Sequence, residues 1–492
     1  MTRPSIPVWL DCDPGHDDAT AILLAGHTPG LELLGVSTIG GNQTLAKVTK
    51  NALDVLDAVG LSHIDVVAGQ PRPLMRPPLL CPEIHGDTGL DGPGGGRLLP
   101  RSPRSPLPGK AITVISRAIE AAYEQLQRER TGQQQQQQQR GGEGGGGEGS
   151  WRSSSSSSSS SPSGERVRLV CTGALTNAAL LLTVYPELSE MVEVVIMGGC
   201  MGVGNTGPVV EFNIQTDPEA AKIVFESGVP LTMVPLEVTH TVLATPQVLA
   251  AIGGIGGMGA TAATAAAAGA VGIAAEAAAA AGPASAALST AAPPPPSSSP
   301  VAPAAGTAAA AASPFRHTIQ QLLLFFAETY KRVFRFEHPP LHDPVAVAYV
   351  IRPDLFECRR MRVDVETCSS LSYGQTVCDV WGQSAAPPNV NVVLQVDVEG
   401  VWRLLLEAVA RADAGSPLNR AGTGAAAGAD GAGAAAVASA GAAAVQEQQR
   451  QQAVVVSSGP VGAAALLLEG CRLCDGGRDG GGGGGGGSSR AE

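Results

Sequence analysis

Short apolar runs alternate along this chain with longer stretches of helical spacing. VWL (8–10), LELLGVSTI (31–39) and DVVAG (65–69) are nearly continuous apolar runs, the pattern of strands buried on both faces. Between them, DDATAILLAGH and KVTKNALDVLDAV place apolar residues three and four apart, as one face of a helix does. The rhythm resumes with RLV (168–170), TNAALLLTVY, VEVVIM (192–197), DPEAAKIVFES and LTMVPL (231–236). FRHTIQQLLLFFAETYKRVF and PVAVAYVI read as helices, and RVDVET and NVVLQVDV as late strands. Strands alternating with helices form right-handed crossovers. The fold class predicted is α/β, with an open, mostly parallel sheet flanked by helices in a single domain over residues 5–412.

Composition changes the picture by removing length. Gln and Ser runs with Gly-rich stretches fill 131–164, an Ala/Pro/Ser-rich block fills 246–313, and Ala, Gly and Gln dominate 413–492. Such segments cannot bury enough apolar surface to offset chain entropy, so all three are expected to be disordered. The chain has 492 residues, but about 300 of them, of mixed composition, remain to build one sizeable core. The balance of 32 basic and 44 acidic residues, −12, argues against a nucleic-acid partner held by phosphate contacts. No membrane segment and no signal peptide are expected. Nine scattered cysteines point to a reducing compartment, and a cytoplasmic location is expected. The lone pair Cys471 and Cys474 gives no zinc site without a second pair.

In parallel sheets of this kind, ligands bind beyond the carboxyl ends of the strands. Here polar residues follow five separate strands. VWL leads into Asp11, Asp13, Asp17 and Asp18, and VSTI into Gly40, Gly41 and Asn42. RLV leads into Thr172 and Gly173, VVIM into a loop with Asn205, Glu211 and Asn213, and LTMVPL into Glu237 and His240. The carboxylates of DCDPGHDD repel one another unless a cation or protons neutralise them, and a carboxylate-rich site suits a hard cation. Complementing a helix dipole would explain Asp17 and Asp18, but not Asp13. Taken alone, LHDPVAVAYV reads as a helix start with Asp343 as N-cap and Pro344 in first position. His342, beside that carboxylate, is a candidate acid. DPEAA at Asp217 reads as a simple cap. GVGNTG (202–207) imitates a dinucleotide fingerprint but lacks the helix that the fingerprint requires.

VWLDCDPGHDDATAILLA, TIGGNQTLAKVTKNAL, EIHGDTGLDG, CTGALTNAA, IMGGCMGVGNTGPVVEFNIQTDPEAA, PLEVTHTVLAT and LHDPVAVAYV together resemble the inosine-uridine preferring nucleoside hydrolases. The resemblance covers nearly all the ordered blocks, in order, and stops at the low-complexity regions. It implies hydrolysis of the N-glycosidic bond of ribonucleosides to free base and ribose by a calcium-bound water, as in purine and pyrimidine nucleoside catabolism and salvage. It further implies Ca²⁺ held by Asp13, Asp18, the Thr172 carbonyl and Asp343. The ribose would be recognised by Asp17, Asn42, Asn205, Glu211 and Asn213. His342 and His85 would stand near the leaving base, and the chain would form a homo-oligomer, a dimer or tetramer. Glu237 departs from the family's usual Asp. The block at 246–313 enters a segment that contributes to base recognition, so base preference is poorly constrained.

The chemistry of such a bond has three needs. Water must become nucleophilic, with Asp13 to take its proton. An oxocarbenium-like sugar must meet fixed negative charge, and the base must leave protonated. Two other readings stay open. One is a Mg²⁺-dependent phosphatase with Asp11 as nucleophile. The other is a calcium-binding scaffold without activity.

Overall fold

The computed structural model describes residues 5–142, 166–254 and 312–421. All belong to one compact unit, residues 1–424. The first strands and helices fall where the apolar runs predict. β1 (Ile6–Cys12), α1 (His16–His27), β2 (Leu31–Thr38), α2 (Leu45–Ala58) and β3 (Val66–Ala68) follow in order. After α3 (Pro82–His85) and α4 (Ala111–Gly142) come β4 (Val167–Cys171), α5 (Thr176–Val184) and β5 (Val192–Met197). Then come α6 (Phe212–Thr216), α7 (Pro218–Glu226), β6 (Leu231–Val234), α8 (Leu236–Thr239) and α9 (Pro246–Ile252). The last part holds α10 (Pro314–Val333), α11 (Asp343–Ile351), β7 (Phe356–Met361), β8 (Val363–Val365), β9 (Thr376–Cys378), β10 (Val390–Val396), α12 (Val398–Gly415) and α13 (Leu418–Ala421).

Eight strands form one sheet in the order β3-β2-β1-β4-β5-β6-β10-β7. All pair in parallel except β7, which runs antiparallel to β10 at the edge. RVDVET does form a strand, but β8 pairs with β9 in a separate two-stranded sheet. Alternate residues of β1 serve opposite cores. Val8 and Leu10 pack with α1, α11 and α12, while Trp9 packs with α4, α5 and α7. Both faces are therefore covered, which explains the continuous apolar runs.

Chain order proceeds outward from β1 through β2 to β3, then restarts on the other side at β4. The gap between β1 and β4 is the topological switch point, where loops diverge and leave a crevice. Register puts the crevice's contributors level. Asp11 lies opposite Ser37 on β2 and Cys171 on β4, and Cys171 lies opposite Ile196 on β5. The loops carrying Asp13, Asn42, Thr172 and Asn205 therefore all leave from one rim.

Three boundaries differ from the sequence reading. α4 continues through the Gln run to Gly142, because Gln is a good helix former even without an apolar stripe. α9 opens the 246–313 block with Thr245 capping it. α12 passes 412 and is tied back to α10: Asp413 accepts hydrogen bonds from Ser313 Oγ (2.5 Å), Arg316 Nε (2.6 Å) and Asn419 Nδ2 (2.9 Å). The remainder of the three segments expected to be disordered, 143–164, 255–311 and 422–492, lies outside the described residues, as do Cys471 and Cys474.

Candidate active site at the switch point

Pro14 and Gly15 end β1's extension and let α1 start at His16, so Asp17 and Asp18 sit in its first turn. Asp18 is shared among three elements. Its Oδ2 accepts from Gly15 N (3.0 Å) and Asn42 Nδ2 (3.2 Å), and its Oδ1 from Thr172 Oγ1 (2.8 Å). Asp13 Oδ2 accepts from Asn42 N (2.7 Å), while its Oδ1 has no partner and is buried. Asp17 Oδ1 is likewise buried without a partner.

Asp343 corrects the capping expectation. The N-cap of α11 is His342, Asp343 is already helical, and no side chain caps this helix. The Asp343 carboxylate turns instead to α1: oxygens of Asp17, Asp18 and Asp343 lie within 4.8 Å of one another, all buried. This trio contains Asp17, which the resemblance placed on the ribose, and not Asp13, which it placed on the metal. Asp217, by contrast, is the cap the sequence predicts, accepting from Ala220 N (3.1 Å).

Charge dictates what such a cluster needs. At an effective dielectric of ~20, two carboxylates ~5 Å apart repel by about 3 kcal/mol. A helix N-terminus returns only ~0.3–1 kcal/mol per acidic residue. The dipole alone therefore does not hold the cluster ionised. Among the described residues, none of the four aspartates forms an ion pair with Lys or Arg. Accordingly burial, and then Asp18, push Asp13 well above the usual carboxylate range. Burial followed by the charges of Asp17, Asp18 and Asp13 does the same to Asp343. Asp17 is pushed up to about 7, first by burial and then by Asp18. The donors fit a hard divalent cation: buried carboxylate oxygens, two of them without partners, beside Thr172, whose hydroxyl donates to Asp18. Gly173 preserves the space, since a Cβ there would lie 2.7 Å from Asp13 Oδ1.

In front of the cluster opens a cavity of about 340 Å³. Asp17, Asn42, Asn205, Glu211 and Asn213 line its polar side, with Thr172 and Asp343. Asp13 and Asp18 lie behind these, buried. Glu211 caps α6, its two oxygens accepting from Asn213 N (2.8 Å), Gly199 N (2.9 Å) and Ile214 N (3.1 Å), and burial raises it to about 7. Asn213 Nδ2 donates to the Thr172 carbonyl (2.9 Å). Asn205 Oδ1 accepts from Phe212 N (2.9 Å). Glu237, the departure noted in the sequence, holds the Gly-rich loop: its Oε1 accepts from Met201 N and Gly202 N, both at 2.9 Å. No helix opens within GVGNTG, since α6 starts at Phe212.

The opposite wall carries His85, Tyr330 and His342. His342 is buried, and both ring nitrogens are engaged: Nδ1 with Thr239 Oγ1 (2.7 Å) and Nε2 with the Tyr330 hydroxyl (2.8 Å). Burial, then His240, hold it well below the usual histidine range. His85 Nδ1 lies 3.3 Å from His16 N, and burial followed by His16 lowers it likewise. Tyr330 was not singled out in the sequence. It reads there only as one more apolar position of a helix, and nothing in its spacing relates it to His342. Asp11, the nucleophile of the phosphatase reading, is turned away from the cavity. Its Oδ1 accepts from Ser37 Oγ and from Asn177 Nδ2 (2.8 Å), and burial raises it to about 6.

The chain is similar to known proteins in sequence and in fold. The sequence profile of the inosine-uridine preferring nucleoside hydrolases matches residues 8–403. The chain is 37% identical over 411 residues to a "Probable ribonucleoside hydrolase" of Dictyostelium discoideum, covering 83% of this chain and 96% of that one. It is 33% identical over 409 residues to the pyrimidine-specific ribonucleoside hydrolase RihA of Enterobacter sp. (strain 638), covering 83% and 98%. Among solved structures, a purine-preferring ribonucleoside hydrolase from Gardnerella vaginalis superposes with a TM-score of 0.58 at 22% identity, over 83% of this chain and 99% of that one. At that identity the superposition speaks for the fold alone. The profile match and the curated relatives place the chain itself: it belongs to the inosine-uridine preferring nucleoside hydrolase family.

Proposed function

We propose that this protein hydrolyses the N-glycosidic bond of ribonucleosides, releasing base and ribose, with a calcium ion held by Asp13, Asp18, Asp343 and the Thr172 carbonyl. The observation that carries the reading is the buried cluster of aspartates at the floor of a polar cavity. When bound, the cation acidifies and orients the attacking water and seats ribose hydroxyls. The chain's own residues do the rest. Asp13 Oδ1, without a partner, takes the water's proton. Asn42, Asn205 and Asn213 orient the sugar. Asp17 and Glu211 set negative charge beside the carbon that becomes oxocarbenium-like. The departing base meets Tyr330, whose hydroxyl is backed by His342 Nε2, with His85 on the same wall. A 2′-deoxyriboside loses one oxygen from this arrangement and is expected to be a poor substrate.

Pyrimidine ribonucleosides are the preferred substrates in this reading, supported by the relative named pyrimidine-specific. The test is to incubate the full chain with uridine, cytidine, inosine and guanosine, with and without chelator, and measure free ribose. Ribose released only without chelator supports the proposal. No ribose under any condition favours the scaffold, and phosphate released from a monoester favours the phosphatase. A cytoplasmic location, a role in nucleobase salvage and a homo-oligomeric state belong to the same reading. The first is supported by seven free cysteines among the described residues. Among the described residues, no helix is long and apolar enough to cross a membrane.

A further inference from the structure

Asn42 lines the polar side of the cavity, and the hydrogen bonds around it decide which way its amide faces. Its Nδ2 lies 3.1 Å from the Asp13 carbonyl oxygen and 3.2 Å from Asp18 Oδ2. A main-chain carbonyl can only accept, so the nitrogen stands there whatever the state of Asp18. An amide nitrogen carries two hydrogens, and these two contacts use both. Oδ1 therefore faces the other way, where Cys81 Sγ lies 3.3 Å from it. The direction of that contact follows, because Oδ1 has no hydrogen to give and the thiol has one. The thiol's second acceptor is the Asn42 carbonyl, at 3.8 Å. Cys81 is the N-cap of α3, yet its side chain caps nothing. The main chain makes those bonds: the Cys81 carbonyl accepts Ile84 N at 3.1 Å, and Cys81 N donates to the Asn42 carbonyl at 3.4 Å. Both contacts of the thiol are thus with Asn42.

Asn42 then has no N–H left for a ligand. What it can offer is the second lone pair of Oδ1, the first being taken by the S–H. A ribose hydroxyl that gives an oxygen lone pair to a cation still has its hydrogen to place, and it needs an acceptor. We propose that Cys81 is a positioning residue for the sugar: by donating its S–H to Oδ1 it keeps the Asn42 amide turned so that Oδ1 receives the hydrogen of a ribose hydroxyl. Asp13 and Asp18 tether one end of the amide and Cys81 the other. The inference rests on the proposed nucleoside hydrolysis and deepens it, giving the sugar contact of Asn42 a direction and a support. Burial pushes the Cys81 thiol up, so its proton stays on sulfur at neutral pH.

The test compares wild type, Cys81→Ala and Cys81→Ser in the full chain with Ca²⁺ supplied. KM and kcat are measured on uridine, and inhibition constants for 2′-deoxyuridine and 3′-deoxyuridine, each of which lacks one hydroxyl. Cys81→Ala is expected to raise KM on uridine about 3–10-fold, the worth of one modest hydrogen bond, with kcat within about twofold. Cys81→Ser keeps a donor and should return KM to within about twofold of wild type. One of the two deoxynucleosides lacks the hydroxyl that Asn42 receives. Its inhibition constant should change by less than about twofold in Cys81→Ala, while the other weakens as uridine does. The S–H stretching band lost in Cys81→Ala should lie at the lowered frequency of a hydrogen-bonded thiol. Equal weakening of all three nucleosides would give Cys81 a merely structural role and overturn the proposal, as would a free-thiol frequency or an unchanged KM. A wild type that releases no ribose from uridine overturns the hydrolase reading as well. Ribose release that Cys81→Ala leaves unaltered removes only the role of Cys81.

Discussion

Gly15 makes room for His85: a Cβ at residue 15 would lie 2.5 Å from Cε1 of the His85 ring and closer still to Nδ1. The imidazole therefore rests on the N-terminus of α1, with Nδ1 3.3 Å from His16 N. The backbone of Gly15 is extended and needs no glycine for its own sake (φ −101°). The requirement is steric, and it joins the aspartate loop to the cavity wall that carries His85, Tyr330 and His342.

Gly15→Ala is accordingly expected to displace His85 and lower kcat/KM on uridine by roughly 100-fold, as a catalytic group moved by about 1 Å does. Steady-state kinetics check this, with a circular dichroism spectrum like the wild type's. Unchanged kinetics would mean that His85 has no part in turnover.

Tyr330→Phe should separate substrates by leaving group. Turnover of uridine should fall by about 10²-fold or more, the scale of a lost general acid, while 4-nitrophenyl riboside changes by less than about threefold. A uniform loss would assign Tyr330 to binding.

Glu237→Ala should free the loop that carries Asn205, since Glu237 Oε1 holds two of its N–H groups. KM is expected to rise about 3–10-fold, the cost of one or two hydrogen bonds, with calcium affinity unaltered. Calorimetry alongside kinetics separates the two. Weakened calcium binding would contradict the assignment of Glu237 to the loop alone.

Stability should depend on pH in a direction set by the buried carboxyls. Folding raises Asp17 from 3.8 to about 7 and Glu211 from 4.5 to about 7. Between those values the folded chain binds more protons than the unfolded one. The contribution is complete below pH 4 and is lost as pH rises through about 7. In chelator, Tm should therefore fall between pH 5 and pH 8. Added Ca²⁺ should raise Tm more at pH 8 than at pH 5, because ionised ligands are then ready for it. Differential scanning fluorimetry checks both, and a chelated protein that gains stability toward pH 8 would contradict them.

Much of the fold was legible because its strands are buried on both faces. β1, β2, β4, β5 and β6 are runs that few other structures accommodate. β7 was not legible: FECRRM is an edge strand, half of it exposed, and only its pairing with β10 makes it a strand. α12 carries an apolar stripe through Val401, Trp402, Leu405, Ala408 and Val409 that the sequence reading passed over. Among site residues, the aspartates stood out because like charges rarely crowd without cause. Asp343 misled as a cap because local chemistry permits capping, while the α1 carboxylates that claim it lie far away in sequence. Tyr330 and Thr239 carried no signal, since only the folded chain brings both to His342.

The central claim is that aspartates from distant parts of the chain hold one divalent ion. Calorimetric titration of Ca²⁺ into chelator-stripped wild-type protein and into Asp343→Ala tests it most directly. The account predicts a single saturable site in the wild type and no measurable heat of binding in a folded Asp343→Ala variant. Calcium binding of equal affinity in both proteins would contradict it.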